Sequence, residues 1–282
     1  MDLIYHKNEL QRVLKERKTT TDIVGFVPTM GSLHQGHLSL INTAIEACDI
    51  VVVSIFVNPT QFENVSDLKK YPRRLEEDVN ILRKNFNNLI IFAPETEDIY
   101  GMNIESVNFE FGKLADKMEG ASRIGHYNGV ATVLQKLFTI VQPDKAFFGE
   151  KDYQQLLIVK KLVDLLNLPI EIIGCPISRQ EDGLARSSRN IRLTDEQQKE
   201  ATFIFKSLLK AKERFNSQNA KSLVEEIEAD FRNNPNFELD YFQIVDEENL
   251  EPATTYKNGV KYRAFVAAKI GSVRLIDNMV LN

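Results

Sequence analysis

Between residues 23 and 174, short runs of β-branched residues alternate with amphipathic stretches, and this alternation restricts the chain to very few architectures. A parallel strand is covered on both faces and reads as a nearly continuous apolar run, and each return to the same edge of the sheet needs a crossover helix. Runs at 23–28, 50–57, 89–93, 146–149 and 170–174 are therefore expected to be strands of one parallel sheet in an α/β fold. Leu38, Ile41, Ile45 and Cys48 recur at helical spacing, as do Leu75, Val79 and Leu82, and further helices are expected near 130–141 and 153–166. The stretch 104–111 alternates apolar and polar residues, which predicts a strand outside the main sheet.

After Cys175-Pro176 the texture changes to charged helices at 194–215 and 222–231, followed by strands near 239–245 and 262–268. That order predicts a smaller C-terminal α+β domain, so the expected division is 1–175 and 176–282, joined by a polar link at 176–192 that carries Gly183. A length of 282 residues suits two domains. The net charge of −5 argues against a polyanion-coating protein, and no apolar run approaches the ~20 residues of a membrane span. Neither nucleic acid nor membrane is an expected partner. The start MDLIYHKNEL lacks the basic and apolar regions of a secretory signal, so a cytoplasmic location is expected. Cys48 and Cys175 fit neither a disulfide framework nor a zinc spacing and read as small buried apolar residues.

Ligands of an open parallel sheet bind at the carboxyl ends of the strands. Three such ends run into PTMGSLHQGH (28–37), NPTQF (58–62) and GEKDYQQ (149–155). A histidine near a helix start is commonly a cap or a surface residue. The pair His34 and His37, after a strand and beside glycines Gly31 and Gly36, points instead to phosphate contact, because imidazoles three residues apart share a helix face at its positive end. Lys151 reads as a second phosphate-contacting residue and Asp152 as a ribose acceptor, against the plainer reading of a solvated lysine beside a cap. Arg186, Ser187, Ser188 and Arg189 suit a lid over a triphosphate, although a loop arginine is often only solvated. Gln61 and Gln155 suit a substrate with hydroxyl and carboxylate groups. Glu76, Glu77 and Asp78 would hold Mg²⁺ only through water, and a solvated helix face is the simpler reading. His126 has no assigned role here, and His6 reads as surface.

Together the segments FVPTMGSLHQGH, VSIFVNPTQF, YPR with its acidic sequel, RIGHYNGVATV, FFGEKDYQQL and DGLARSSRN resemble the pantothenate synthetase (pantoate-β-alanine ligase) family of the HIGH-motif nucleotidyltransferase superfamily. The HxGH element alone marks only the superfamily, whereas NPTQF, GEKDYQQ and DGLAxSSRN in one chain are specific. The resemblance implies ATP-dependent condensation of (R)-pantoate with β-alanine to pantothenate, AMP and pyrophosphate through a pantoyl adenylate. It implies a Rossmann-like first domain binding ATP and pantoate, with helices on both faces of its sheet, and a smaller domain closing over ATP. Mg²⁺ and a homodimer are implied as well. On the matching positions, Met30, Gly31, Ser32, Leu33, His34, Gln35, Gly36 and His37 would line the ATP site, with His37 in the place usually given to a proton donor. Gly149, Glu150, Lys151 and Asp152 would complete it with Arg186, Ser187, Ser188 and Arg189, and Ser178 would touch it through its backbone. Gln61 and Gln155 would bind pantoate from opposite sides, Gln61 lying next to the β-alanine site, and Asn58 would support pantoate. Glu77 and Asp78 are the positions that would approach the metal.

Two positions depart from the pattern: Arg186 stands where Met or Leu is usual, and Ile124 where the loop often reads RPGH. Neither supplies an indispensable group. Two other functions fit parts of the sequence. A nucleotidyltransferase acting on a phosphorylated acceptor would want basic residues where Gln61 and Gln155 stand, and a catalytically silent nucleotide- or RNA-binding relative sits poorly with the acidic balance. On chemical grounds His34, His37, Lys151 and Arg189 are expected to neutralise charge on the phosphates, with His37 acting chiefly as a stabiliser.

Overall fold

The structure is a computed structural model that describes residues 1–62, 68–69, 71–215 and 219–282. It divides into two compact units, Met1–Glu150 with Gln154–Pro176, and Lys151–Tyr153 with Ile177–Asn282.

In the first unit the chain runs β1 (Asp2–Ile4), α1 (Lys7–Arg17), β2 (Val24–Thr29), α2 (Gln35–Ala47), β3 (Ile50–Ile55), α3 (Leu75–Asn85), β4 (Ile90–Phe92), α4 (Thr96–Tyr100), α5 (Met118–Ser122), α6 (His126–Val141), β5 (Lys145–Gly149), α7 (Tyr153–Leu165, all but its first residue) and β6 (Glu171–Cys175). The strands form one parallel sheet in the order β1-β4-β3-β2-β5-β6. Register explains the apolar runs. Phe26 pairs with Val52 and Ala146, and Val52 with Ile90, so these side chains make one row on one face. The next row, Val27, Val53 and Ile91, faces the other way, and all seven are buried. On that second face α2 and α3 contribute Leu38, Ile41, Ala44, Val79 and Leu82 to a core with Phe147 and Cys175. On the first face Phe26 meets Phe138 of α6 edge to face at 6.2 Å. Helices therefore cover both faces, as parallel strands demand.

The second unit contains α8 (Asp195–Arg214), α9 (Ala220–Arg232), and the antiparallel sheet β7 (Phe237–Asp246), β8 (Tyr262–Ile270) and β9 (Val273–Val280). Thr194 and Gln197 close a capping box at the start of α8. Leu208, Phe215, Ile227 and Phe231 from the helical segment pack on Phe242 and Val266 of the sheet.

Several expectations change. Residues 104–111 belong to no sheet: the Val107 amide donates to Thr132 Oγ1 at 2.8 Å and the Phe109 amide to Asn128 Oδ1 at 3.0 Å. Side chains of α6 thus serve alternate amides, and the two-residue repeat reflects that docking. Ile45 does not join Leu38 and Ile41 in the core; it is 42% exposed, and the small Ala44 is buried in its place. The link 176–192 is ordered by an antiparallel Arg179–Ala185 bridge, a Gln180 amide to Leu184 carbonyl bond of 2.8 Å and a 3-10 helix at Ser188–Arg192. Strands β1 and β9 and helices α1, α4 and α5 carry no strong sequence signal. β1 has three residues, α1 buries only Leu10 and Leu14, and the apolar rhythm of β9 is broken by Arg274, Asp277 and Asn278. Among the described residues no helix is long and apolar enough to cross a membrane.

Cys175 is buried, while Cys48 is only half-buried. A Cβ built on Gly25 would stand 2.7 Å from the Cys48 sulfur, so the thiol fills the space beside that glycine. Burial pushes the Cys48 thiol up to about 11, against the pull of Lys145. The neutral thiol is the form present below that value, and at pH 8 about one in a thousand is thiolate. Alkylation of Cys48 by iodoacetamide in the native protein is expected to be slow at pH 8 and to accelerate about tenfold per pH unit up to pH 10. A rate that levels off below pH 9.5 would contradict this environment.

Candidate active site

The sheet order reverses between β2 and β5, which are hydrogen-bonded neighbours: from β2 the chain winds outward to β3 and β4, and β5 and β6 lie on the other side. Crevices at such switch points are where α/β sheets bind ligands. The chain leaves β2 into residues 30–37 and β5 into Gly149 and Glu150.

Most amides of the segment after β2 are engaged by neighbouring protein groups. The Gly31 amide donates to Thr29 Oγ1 at 3.2 Å, Ser32 to Asp78 Oδ2 at 2.8 Å and Leu33 to Asp78 Oδ1 at 2.7 Å. His34 donates to His37 Nδ1 at 3.2 Å, Gly36 to His34 Nδ1 at 3.1 Å, and His37 and Leu38 to the His34 carbonyl. Two histidines here make the reciprocal cap that a serine and a glutamate usually make. A ring nitrogen that accepts an amide hydrogen carries no proton, so both imidazoles hold theirs on Nε2. The rings lie 4.1 Å apart between centroids and are tilted by 42°. The first turn of α2 contains no acidic side chain to offset the positive end of its dipole. The amides of Gly31, Ser32, Leu33, His34, Gly36 and His37 are thus all engaged, and the Nδ1 edges of both rings with them.

Asp78 corrects the solvated-face reading, because it is almost fully buried on α3. Burial pushes its carboxyl up, and the bonds from Leu33 and Ser32 pull against that. Glu77 pairs with Arg74 at 3.2 Å. Among the described residues no three His, Cys, Asp or Glu side chains converge to hold a metal ion. With both Asp78 oxygens spent on amides, residues 77 and 78 do not fit a Mg²⁺ site.

The end of β3 leads into a 3-10 turn at Pro59–Gln61. Asn58 is fully engaged there: its Nδ2 donates to Gln61 Oε1 and to the Gly129 carbonyl, each at 3.1 Å, and its Oδ1 accepts from Tyr100 Oη at 2.5 Å. Burial pushes the Tyr100 phenol up, which keeps it a donor. Asn58 thus acts by holding the Gln61 amide, whose Nε2 also donates to Met30 Sδ at 2.8 Å. His126 completes the brace, donating from Nδ1 to the Gln61 carbonyl at 2.9 Å and accepting from Arg123 on Nε2 at 3.0 Å. A cavity of about 310 Å³ opens beside Gln61, His126 and Ile124. Gln154, adjacent to the expected Gln155, is spent on structure, tying Glu119, Leu114 and Lys117 together, while Gln155 is half-buried one helical step away.

In the second unit the Lys151 carbonyl accepts from Asn278 Nδ2 at 2.9 Å. Asn278 Oδ1 in turn accepts from Arg263, whose guanidinium stacks 3.9 Å over the Tyr153 ring and pairs with Glu247. Asp152 is exposed. The Ser178 carbonyl accepts from the Arg186 amide at 2.9 Å, and Arg186 Nε donates to the Arg179 carbonyl at 3.2 Å. Ser187 caps the 3-10 helix that starts at Ser188, and the exposed Arg189 donates to the Arg274 carbonyl at 3.1 Å. His34, His37, Asn58, Gln61 and Gln155 belong to the first unit; Lys151, Asp152, Ser178 and Arg186–Arg189 belong to the second. The sequence reading missed His126, Tyr100, Gly129, Arg263 and Asn278, and of these only the glycines around His126 gave any signal.

A parallel sheet whose switch point is flanked by a histidine-capped helix defines the nucleotide-binding α/β class of protein. The family model for pantoate-beta-alanine ligase matches residues 2–280. A pantothenate synthetase of Christiangramia forsetii is 47% identical over 282 residues, all of both chains. The crystal structure of pantothenate synthetase from Thermus thermophilus superposes with a TM-score of 0.91 at 41% identity, covering 100% of this chain and 99% of that one. A pantoate-beta-alanine ligase from Francisella tularensis, solved with beta-gamma ATP and beta-alanine, gives 0.80 at 35% identity over 99% and 97% of the two chains. The chain belongs to the pantoate-β-alanine ligase family.

Gly129 tests the brace around Gln61. A Cβ there would stand 2.1 Å from the Thr60 carbonyl oxygen and 2.7 Å from Gln61 Cα, and neither backbone atom can yield without moving the turn. Gly129→Ala is expected to cost about 1–3 kcal/mol in urea unfolding and to weaken pantoate binding more than ATP binding in calorimetry. Equal losses for the two ligands would show that the turn does not carry substrate specificity.

Proposed function

We propose that this chain condenses (R)-pantoate with β-alanine at the expense of ATP, releasing AMP and pyrophosphate by way of a pantoyl adenylate. The observation that carries the reading is the pair of Nε2–H edges at the start of α2, held at the switch point of a sheet whose family is that of pantoate-β-alanine ligases.

In the first step a pantoate carboxylate oxygen bonds to the α-phosphorus as the bond to the pyrophosphate oxygen breaks. No proton has to move. The demand is for donors where negative charge collects, which His34 and His37 meet as neutral imidazoles, with Lys151 and Arg189 adding full charges. His37 is therefore a stabiliser before it is an acid. Met30–Gly36, Gly149–Asp152, Ser178 and Arg186–Ser188 complete the nucleotide site in this proposal. Gln61, braced by Asn58 and His126, and Gln155 hold pantoate by its hydroxyl and carboxylate groups. In the second step the neutral amine of β-alanine attacks the acyl carbon and AMP departs; the anhydride is already activated, so holding the amine in place matters most. Mg²⁺ belongs to the proposal as an ion that ATP brings on its own phosphates, and no step is assigned to Glu77 or Asp78.

The proposal also makes the chain a cytoplasmic homodimer. Met102, Ile104, Val107 and Ile124 are exposed apolar side chains that a second copy would cover.

The assay is AMP release with pantoate, with and without β-alanine; sustained turnover is expected only with both. His37→Ala and Lys151→Ala should each slow adenylate formation by ~10²–10³ while pantoate affinity changes little. Single-turnover rates close to the parent in both variants would remove these residues from the phosphate site.

A further inference from the structure

We propose that Asp78 is a positioning residue for nucleotide activation: its buried carboxylate occupies the concave backbone turn at Gly31–Leu33 in place of a phosphate, and so fixes the direction of the His34 and His37 imidazoles. The proposal rests on the ligation reading above and adds the residue that sets its geometry.

Gly31 and Ser32 are successive left-handed residues, at φ 82° and 54°. In this turn the successive Ser32 and Leu33 amides point at one carboxylate, making a small concavity of the kind that attracts anions. For serine this backbone conformation is uncommon and needs a restraint. Asp78 supplies both the anion and the restraint, one oxygen to the Ser32 amide at 2.8 Å and the other to Leu33 at 2.7 Å. The fit leaves no slack, since a Cβ on Gly31 would stand 2.9 Å from Asp78 Oδ2 and 3.2 Å from Ile55.

A carboxylate beside a triphosphate site repels the ligand, so its presence there calls for an offsetting gain. The gain is register. With the Ser32 and Leu33 amides taken, an incoming phosphate has no backbone concavity to settle into and is left to the imidazole edges. His34 follows Leu33 directly, so fixing the Leu33 amide fixes the entry into the histidine cap.

The test compares the parent with Asp78→Asn and Asp78→Ala in four measurements: pantoate-dependent ATP–pyrophosphate exchange, ATP affinity in EDTA without Mg²⁺, KM for β-alanine, and amide hydrogen exchange at Ser32 and Leu33. The asparagine turns an NH₂ group toward one of the two amides. Exchange is expected to fall at least tenfold and metal-free ATP affinity at least fivefold, with the β-alanine KM within twofold of the parent. In the parent, both amides should already be protected without ATP and change less than twofold on its addition. Asp78→Asn exchange within twofold of the parent overturns the proposal. So does a variant whose metal-free ATP affinity is intact but whose half-saturating Mg²⁺ concentration rises, because Asp78 would then be a metal ligand. Equal proportional losses in exchange and β-alanine KM would assign it to general stability instead. Should neither variant fold, the parent decides: protection of the two amides that appears only with ATP overturns the proposal. A parent that exchanges no pyrophosphate with pantoate present sinks the ligase reading itself, whereas an active parent with an equally active Asp78→Asn sinks only this one.

Discussion

The chemistry of the first unit depends on where the amides between β2 and α2 send their hydrogen bonds. A glycine-containing loop ahead of a helix usually binds phosphate through free N–H groups. Here Thr29, Asp78 and the two histidines take those donors, and in the proposed reaction the imidazoles inherit the task. Because each histidine accepts on Nδ1, the local fold chooses the tautomer, and a ring so fixed presents its proton without having to reorient. In the proposed reaction, structural capping and phosphate contact use two edges of the same ring.

A second economy appears at the Asn58 turn. In the proposed reaction Gln61 holds pantoate, which requires an oriented amide, and amides rotate freely unless both ends are engaged. Asn58 fixes the oxygen of Gln61, Met30 takes one hydrogen, and Tyr100, Gly129 and His126 hold the frame in turn. The absence of a side chain at Gly129 lets α6 approach near enough for that frame to close. His126 and Gly129 are therefore packing chemistry in the service of a residue more than sixty positions earlier.

The sequence discloses what periodicity or composition can encode. Five of the six parallel strands were legible as apolar runs, and the His34–His37 pair because two histidines beside glycines after a strand are rare. Period alone could not say which helical positions face the sheet: Ala44 is buried and Ile45 is not, since the helix turns its small residue toward the closest approach. Nor could it separate an exposed acid from a clamp. In Glu76-Glu77-Asp78 the three side chains look alike along the chain, yet only Asp78 turns inward, and its partners lie 45 and 46 residues away. The same limit hid β9, whose Asp277 and Asn278 interrupt an apolar strand because they bind Arg179, Arg263 and the Lys151 carbonyl. The repeat at 104–111 misled for the opposite reason, since side chains from a helix reproduce the spacing of a strand partner.

Buried charge in the second unit follows one rule. Asp277 accepts two bonds from Arg179, at 2.6 and 3.0 Å, and Arg263 is sandwiched by Glu247, Asn278 and the Tyr153 ring. Burying a pair of this kind seldom raises stability over an apolar replacement, because desolvation offsets most of the attraction. What it supplies is direction, since a bidentate or stacked guanidinium has one geometry where a leucine has several. Arg263 and Asn278 spend that direction on the backbone of Lys151 and the ring of Tyr153. A flexible lysine side chain gains little from a fixed backbone unless the charge at its tip has to be delivered to one place. The cost of burying Arg263 is thus accounted for by where the Lys151 main chain is held, which ties the antiparallel sheet to the placement of the charge that the proposed reaction directs at a phosphate.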